Sequence, residues 1–204
     1  MVVSGMPHPK EDRNPCACTV IMKLGLLYTL STVGMFMATG LKRTSSDFFI
    51  SAEAVETAAN TYTQVEITLP LNALDREVFV ITGILMDPAT PVSIALTQTS
   101  SQLQLTRNST AAMQTLADFN LISTSTESIN GGVGEFDFFS KSYGNQITES
   151  GQDHVDIVAT PNMFLAVQGG NNTGPLTSSI RVYGYRAKAD VSVYSALIAS
   201  ELNA

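Results

Sequence analysis

The chain has 204 residues and a net charge of −7, from 18 acidic and 11 basic side chains. Such an acidic surface repels phosphate backbones, so direct binding of nucleic acid is not expected. Hydrophobic residues make up 44 % of the chain, which excludes intrinsic disorder. Polarity comes mainly from Ser, Thr, Asn and Gln with 14 Gly, a mixture that favours strands and turns over a helical bundle.

The first apolar segment is Met22–Gly40, and no charged residue occurs from Leu24 to Leu41. As a signal peptide, it would have Lys23 as its basic start and Ala38–Gly40 as a small-residue cleavage site. The same segment is just long enough for a membrane-anchoring helix, or could serve as an assembly helix. Membrane contact is expected only if residues 22–40 are retained in the mature protein.

Two other interpretations of this segment stay open. Met35 and Met37 are possible initiators, so the residues before them could be dispensable upstream sequence, and a core element is the remaining alternative. All interpretations except the core element place the start of the folded body near residue 45. We therefore predict an N-terminal extension over 1–44 and a β-sandwich domain over 45–204.

The body alternates apolar and polar residues with period two from about Asp47, as half-buried strands do. Val65, Ile67 and Leu69, for example, share one face. The segment 77–86 is continuously apolar and predicts a strand buried on both faces. The predicted strands after Asp47 are 61–71, 77–86, 92–98, 102–105, 135–143, 154–160, 163–170 and 178–189.

The segments between these strands predict loops. Ser109–Ile122 has the spacing of a short helix or a loop, and residues 123–134 are rich in turn formers and predicted to be exposed. Glycine pairs in "INGGVG" and "VQGGNN" lack the lysine and the strand–loop–helix context of a phosphate loop, so both are interpreted as turns. Asn171–Pro175 is predicted to be a loop.

The last segment predicts one amphipathic helix with Asp190 as its N-cap. Tyr194, Leu197, Ile198, Glu201 and Leu202 recur at helical spacing, and Leu and Ile are expected to face the body or a neighbouring subunit. The whole pattern predicts an all-β fold, an antiparallel β-sandwich or jelly roll of about eight strands with a short C-terminal helix.

Three groups of side chains could carry chemistry, and each has a simpler structural explanation. His154 lies near Asp153 and Asp156, but an acid–histidine pair without a nucleophile or third ligand does not make a catalytic set. Glu135 and Asp137 share one strand face, as paired glycosidase acids do, yet the chain has no Trp for sugar subsites. We therefore assign no catalytic residue and expect no cofactor.

Metal binding and glycosylation are weakly indicated. His8, Cys16 and Cys18 lack a fourth ligand and the spacing of a zinc site, so no metal is expected. Both cysteines precede the body, which therefore has no disulfide framework. Sequons begin at Asn108 and Asn171 in predicted loops, and they matter only if the protein is secreted from a glycosylating cell.

A resemblance of pattern covers residues 45–204. The order of strands from "ANTYTQVEITLPL" through "DHVDIVATPNMFLAVQGG" to "SSIRVYGYRAKA", followed by a short helix, resembles small single jelly-roll virion proteins. Bacterial and archaeal viruses encode such capsid-type proteins. The resemblance implies self-association into a symmetric array, while the missing basic arm departs from many capsid proteins and puts genome contact in doubt.

The leading expectation is therefore a non-enzymatic structural subunit that self-assembles through its sheet edges and C-terminal helix. Its expected partners are copies of itself and other virion proteins, and its expected location is the virion. The alternative is a secreted carbohydrate- or surface-binding module in which Tyr183 and Tyr185 form a shallow ligand face. A third hypothesis is a hydrolase that uses Asp153, His154 and Asp156.

Overall fold

The computed structural model describes residues 40–132, 138–142, 146–147 and 153–202. Its strands are Leu41–Arg43 (β1), Phe48–Val55 (β2), Thr63–Thr68 (β3), Glu77–Asp87 (β4), Gln98–Thr106 (β5), Leu121–Asn130 (β6), Phe138–Ser142 (β7), Gln146–Ile147 (β8), Asp156–Val158 (β9), Asn162–Gly170 (β10) and Thr177–Ala189 (β11). One helix, α1, spans Val191–Leu202, and a 3₁₀ turn spans Ala73–Asp75.

Two antiparallel sheets make up the fold. In sheet A, β11 lies between β4 and the successive edge strands β1 and β2, while β8 and β9 pair with the other side of β4. Sheet B has the order β3-β10-β5-β6-β7. The predicted class, an antiparallel β-sandwich with a short C-terminal helix, is confirmed.

Four of the strand pairs are nested in the sequence. The innermost pair is β5 with β6, and β4 with β9, β3 with β10, and β2 with β11 follow outward in turn. The outer two pairs join residues more than ninety positions apart. The chain is thus wound like one long hairpin rolled onto itself, and its members alternate between the two sheets.

The main core lies between the sheets, where the apolar side chains of alternating positions meet. Its fully buried members include Phe79, Ile81, Ile84, Leu103, Leu105, Met163, Leu165, Val167 and Val182. Val78 and Val80 point to the other face of β4, where they pack in a second cluster under α1. Residues 78–81 are therefore buried on both faces, as their unbroken apolar run predicts.

Helix α1 covers one half of the outer face of sheet A. Asp190 caps it as predicted, because its carboxylate accepts a hydrogen bond from the Val193 N–H at 2.8 Å. This bond and that from the Ser192 hydroxyl lower the pKa of Asp190. Leu197 and Ile198 pack on the second cluster, so the helix lies against the body of its own chain.

Three predictions of local structure are wrong. Residues 121–130 are strand β6, paired with β5 and β7, rather than an exposed turn. Their serines and threonines fit a strand, and Ser123, Ser125 and Glu127 are buried. Glu127 has a hydrogen-bond partner within the fold, because the Thr90 hydroxyl donates to its carboxylate. The polar composition of this segment therefore does not mean that it lies at the surface.

The strand predicted over residues 92–98 is also wrong. Residues 94–97 form a turn closed by a hydrogen bond from the Thr97 N–H to the Ile94 carbonyl, and β5 begins only at Gln98. Leu96 has a φ of 60° and is exposed, so the alternation there is accidental. Gly169 and Gly170 also belong to β10 rather than to a turn, and Ser109–Ile122 is a loop that runs into β6.

Candidate functional site

The helix leaves the other half of the outer face of sheet A uncovered, and we call this surface the bare face. Directly opposed residues of antiparallel strands share a face, so the pairing register assigns its members. They are Phe49, Ser51 and Glu53 from β2, Ser179, Arg181 and Tyr183 from β11, and Gly83, Leu85 and Asp87 from β4.

The register sorts the bare face into three rows of different chemistry. The first row is Phe49–Tyr183–Gly83, the second Ser51–Arg181–Leu85 and the third Glu53–Ser179–Asp87. An aromatic row, a row with one cation and a row with two carboxylates thus follow one another along the strands. This arrangement can recognise a partner that offers apolar surface together with charges of both signs.

In the aromatic row Phe49 is exposed, Tyr183 is half-buried and Gly83 is buried, and the side chains are ordered by contacts within the face. The rings of Phe49 and Tyr183 are 6.2 Å apart at an angle of 53°, and the Arg181 guanidinium lies 4.8 Å from the centre of the Phe49 ring. Phe49 is 57 % exposed. A large apolar side chain this open to water favours a binding role when it lies within a larger apolar surface.

Two shallow depressions shape the bare face. One, of about 320 Å³, lies where Gly83 leaves space between Tyr183 and Leu85. A second, of about 450 Å³, lies between the Ser51, Arg181 and Leu85 row and the carboxylate row. Both are open to solvent, so the face suits a broad surface contact better than an enclosed ligand.

Tyr185 is not part of this surface, although the alternation predicts that it joins Tyr183. It is only 9 % exposed, packs in the cluster under α1 and lies beneath the Arg43 guanidinium at 4.3 Å. Burial is the main cause that raises the pKa of Tyr185; Arg43 lowers it in part, and Asp153 and Asp47 raise it. Phe49 takes the place expected for this tyrosine, and the alternation "FFISAEAV" that exposes it was readable in the sequence.

The acid–histidine group is dispersed. Both carboxylate oxygens of Asp156 accept hydrogen bonds from Arg107, at 2.5 and 2.6 Å. Arg107 also donates to the Phe119 carbonyl, so this ion pair ties the β5–β6 loop to β9. In the described part of the chain, no hydrogen bond joins His154 to Asp153 or Asp156, and Asp156 therefore has a structural role.

The remaining candidate residues offer no site in the described ranges. Glu135 and Asp137 lie outside the described residues, as do His8, Cys16 and Cys18. Among the residues that are described, no three His, Cys, Asp or Glu side chains come together as metal ligands. The Asn108 amide donates to the Glu201 carbonyl oxygen, whereas Asn171 is exposed in the β10–β11 loop.

Comparisons with known proteins add no family. No protein-family model matches the chain, and a search of the curated proteins finds no match. Within the described residues, α1 is the one α-helix, and it is too short to cross a bilayer.

Proposed function

We propose that this chain is a non-enzymatic structural subunit that assembles with copies of itself. The observation that carries the proposal is the bare face, where exposed Phe49 and Leu85 and half-buried Tyr183 lie beside the charges of Arg181, Glu53 and Asp87. Water contact with these side chains is costly, and burying them against a partner recovers about 25 cal/mol per Å² of apolar area. The small share of charged residues in the chain further reduces the free-energy cost of removing water from a broad contact.

The virion assignment rests on topology. A rolled hairpin of eight main strands in two four-stranded layers is the winding of a jelly roll, a fold used by viral capsid proteins and also by lectins. The nested pairs β2–β11, β3–β10, β4–β9 and β5–β6 have this winding. We accordingly place the protein in virions, with its own copies and other virion proteins as partners and without direct contact to nucleic acid.

Replacing Phe49 with serine tests the contact directly. We expect Phe49→Ser to raise the dissociation constant of the assembly about tenfold or more, because an exposed aromatic anchor is lost while the core stays intact. Phe119→Ser is the matched control, since Phe119 is 84 % exposed in the β5–β6 loop and away from the bare face. Sedimentation velocity over a concentration series measures both. Equal effects of the two substitutions would count against the bare face as the contact.

A second candidate function is a secreted carbohydrate- or surface-binding module. It is favoured by the aromatic pair Phe49 and Tyr183 beside the carboxylates of Glu53 and Asp87, since sugars stack on rings and donate hydroxyls to acids. Binding on a glycan array that is lost in Tyr183→Ala and kept in Phe119→Ala supports this function. An array without signal for the wild type excludes it in favour of assembly.

A further inference from the structure

Strand β2 presents a long edge that nothing in the described residues covers. Its eight residues, FFISAEAV, pair with β11 without a register shift, and no described strand pairs with its other side. Such an edge exposes a row of N–H and C=O groups that can add another strand. Natural edge strands are often protected by charged side chains, Lys above all, by Pro or by a bulge; β2 has Glu53 as its one charged side chain and contains no Lys, Pro or bulge.

The edge of sheet B on the same flank is different. Strand β3 carries Gln64, whose amide oxygen accepts a hydrogen bond from Ser109 at 2.7 Å and whose amide nitrogen donates to Thr110. The β5–β6 loop is thereby held against β3, and Pro70 follows shortly after the strand. Of these two edges, β2 is the longer, with eight residues against six in β3.

We infer that β2 is where a second copy of this chain adds, as an antiparallel strand across a twofold axis, so that two A sheets become one. This inference rests on the proposed self-assembly and names its surface. Opposed residues of antiparallel strands share a face, so the outward side chains of one copy meet the outward side chains of the other. That condition allows only a few registers.

The register centred on Ala52 matches the exposed apolar side chains. It places Phe49 opposite Val55 of the second copy, and by symmetry Val55 opposite the second Phe49. These two are 57 % and 46 % exposed in the single chain. Aromatic and β-branched side chains form a favourable cross-strand pair, and the twofold axis makes the pair occur twice.

The same register also matches charges. Ser51 lies opposite Glu53 of the second copy, and Arg181 is the neighbour of Ser51 within the sheet. Glu53 of one copy and Arg181 of the other then lie in one row, two strand spacings or roughly 10 Å apart at their backbones. Ser51 between them is small, and the Arg181 guanidinium already leans toward β2 over Phe49. Both long side chains can therefore meet.

Neighbouring registers lose these matches. Centring the pair on Glu53 sets two like carboxylates against each other, which is destabilising. Centring it on Ser51 places Glu53 opposite Phe49 and Val55 opposite Asp47, so each exposed apolar side chain faces an acid. The Ala52 register is the one that the sequence of β2 fits.

Mixed disulfide formation tests the register. The full chain with Cys16→Ser and Cys18→Ser, which removes its only cysteines, serves as the background. We expect chains with Ser51→Cys and differently tagged chains with Glu53→Cys to form mixed dimers under mild oxidation. When one variant is used alone, the two cysteines occupy the same position in both copies and are offset by two residues on the paired strands. Their Cα atoms are then roughly 8 Å apart, beyond the usual disulfide reach of about 7 Å, so this variant crosslinks poorly.

Charge reversal tests the ion pair in the otherwise unchanged chain. Arg181→Glu raises the dissociation constant about tenfold or more, and the double variant Glu53→Arg with Arg181→Glu restores it. Glu66→Arg on the edge strand β3 is the matched control and leaves the assembly unchanged. If the wild type assembles while the mixture gives no excess of mixed dimer and charge reversal has no effect, the β2 interface is wrong and self-assembly stands. A wild type that is monomeric throughout overturns both.

Discussion

Replacing Gly184 with alanine should destabilise the fold by about 3 kcal/mol or more, through overpacking of the core. A Cβ at this position would lie 2.3 Å from the Val80 carbonyl oxygen and 2.7 Å from the ring of Phe79. Phe79 is fully buried and packs on Phe48 with ring centres 5.4 Å apart, so the ring has no room to withdraw. Glycine is required at this position because there is no space for a Cβ atom.

Backbone strain does not contribute to this effect, since the φ of Gly184 is not in the left-handed region. Gly174→Ala is the control, because a Cβ at Gly174 meets nothing within 4 Å and its φ is also ordinary. We expect the control to change stability by no more than about 0.5 kcal/mol. Urea unfolding of both variants measures the difference, and a Gly184→Ala protein as stable as the wild type contradicts the packing described for β4 and β11.

Glu201→Gln should have the second large effect, a loss of about 2 kcal/mol of unfolding free energy. The Glu201 carboxylate is buried and accepts hydrogen bonds from the Ala159 N–H at 2.7 Å and the Thr160 N–H at 2.9 Å. Glutamine keeps the shape but has one oxygen, so its NH₂ group faces one of these donors. The end of α1 is then held to the β9–β10 turn by one of these two hydrogen bonds instead of both.

An exposed carboxylate provides the comparison for Glu201. Glu66 accepts one hydrogen bond from Asn162 at the surface, and Glu66→Gln should change stability by about 0.5 kcal/mol or less. Thermal unfolding followed by circular dichroism gives both values. Equal midpoints for the two variants would mean that the carboxylate of Glu201 does not hold the helix.

The sequence predicts the features of this fold that depend on periodicity. Alternation identifies most strands of both sheets, and Pro161 separates β9 from β10. The unbroken apolar run at 77–86 predicts burial on both faces of β4, which holds for residues 78–81 but not for Leu85, which is exposed. The helical spacing and cap at Asp190 predict α1. Each of these features depends on residues that are close together in the sequence, so the local pattern is enough to predict it.

Features that depend on distant partners were missed. Strand β6 is polar, and its interior position follows from pairing with β5 and from partners such as Thr90 for Glu127. Tyr185 has the alternation of a surface residue, but α1 covers it. The local sequence pattern does not show which half of an outer sheet face a later helix will cover, so the bare face could be identified only from the structure.

Coverage by α1 also divides the outer face of sheet A into a covered half and an exposed half. Under the helix, small and apolar side chains such as Ala187 and Ala189 complete a core of the single chain. Beyond it, Phe49 and Leu85 stay exposed and flank Arg181. The first half stabilises the fold, and the second half is left exposed by the described residues.

Native mass spectrometry of the full chain, over a range of protein concentrations, tests the central claim most directly. A self-assembling structural subunit gives defined oligomers, beginning with even-numbered species if β2 forms the twofold contact, and their share grows with concentration. A chain that stays monomeric at every concentration and salt condition contradicts the proposed structural role.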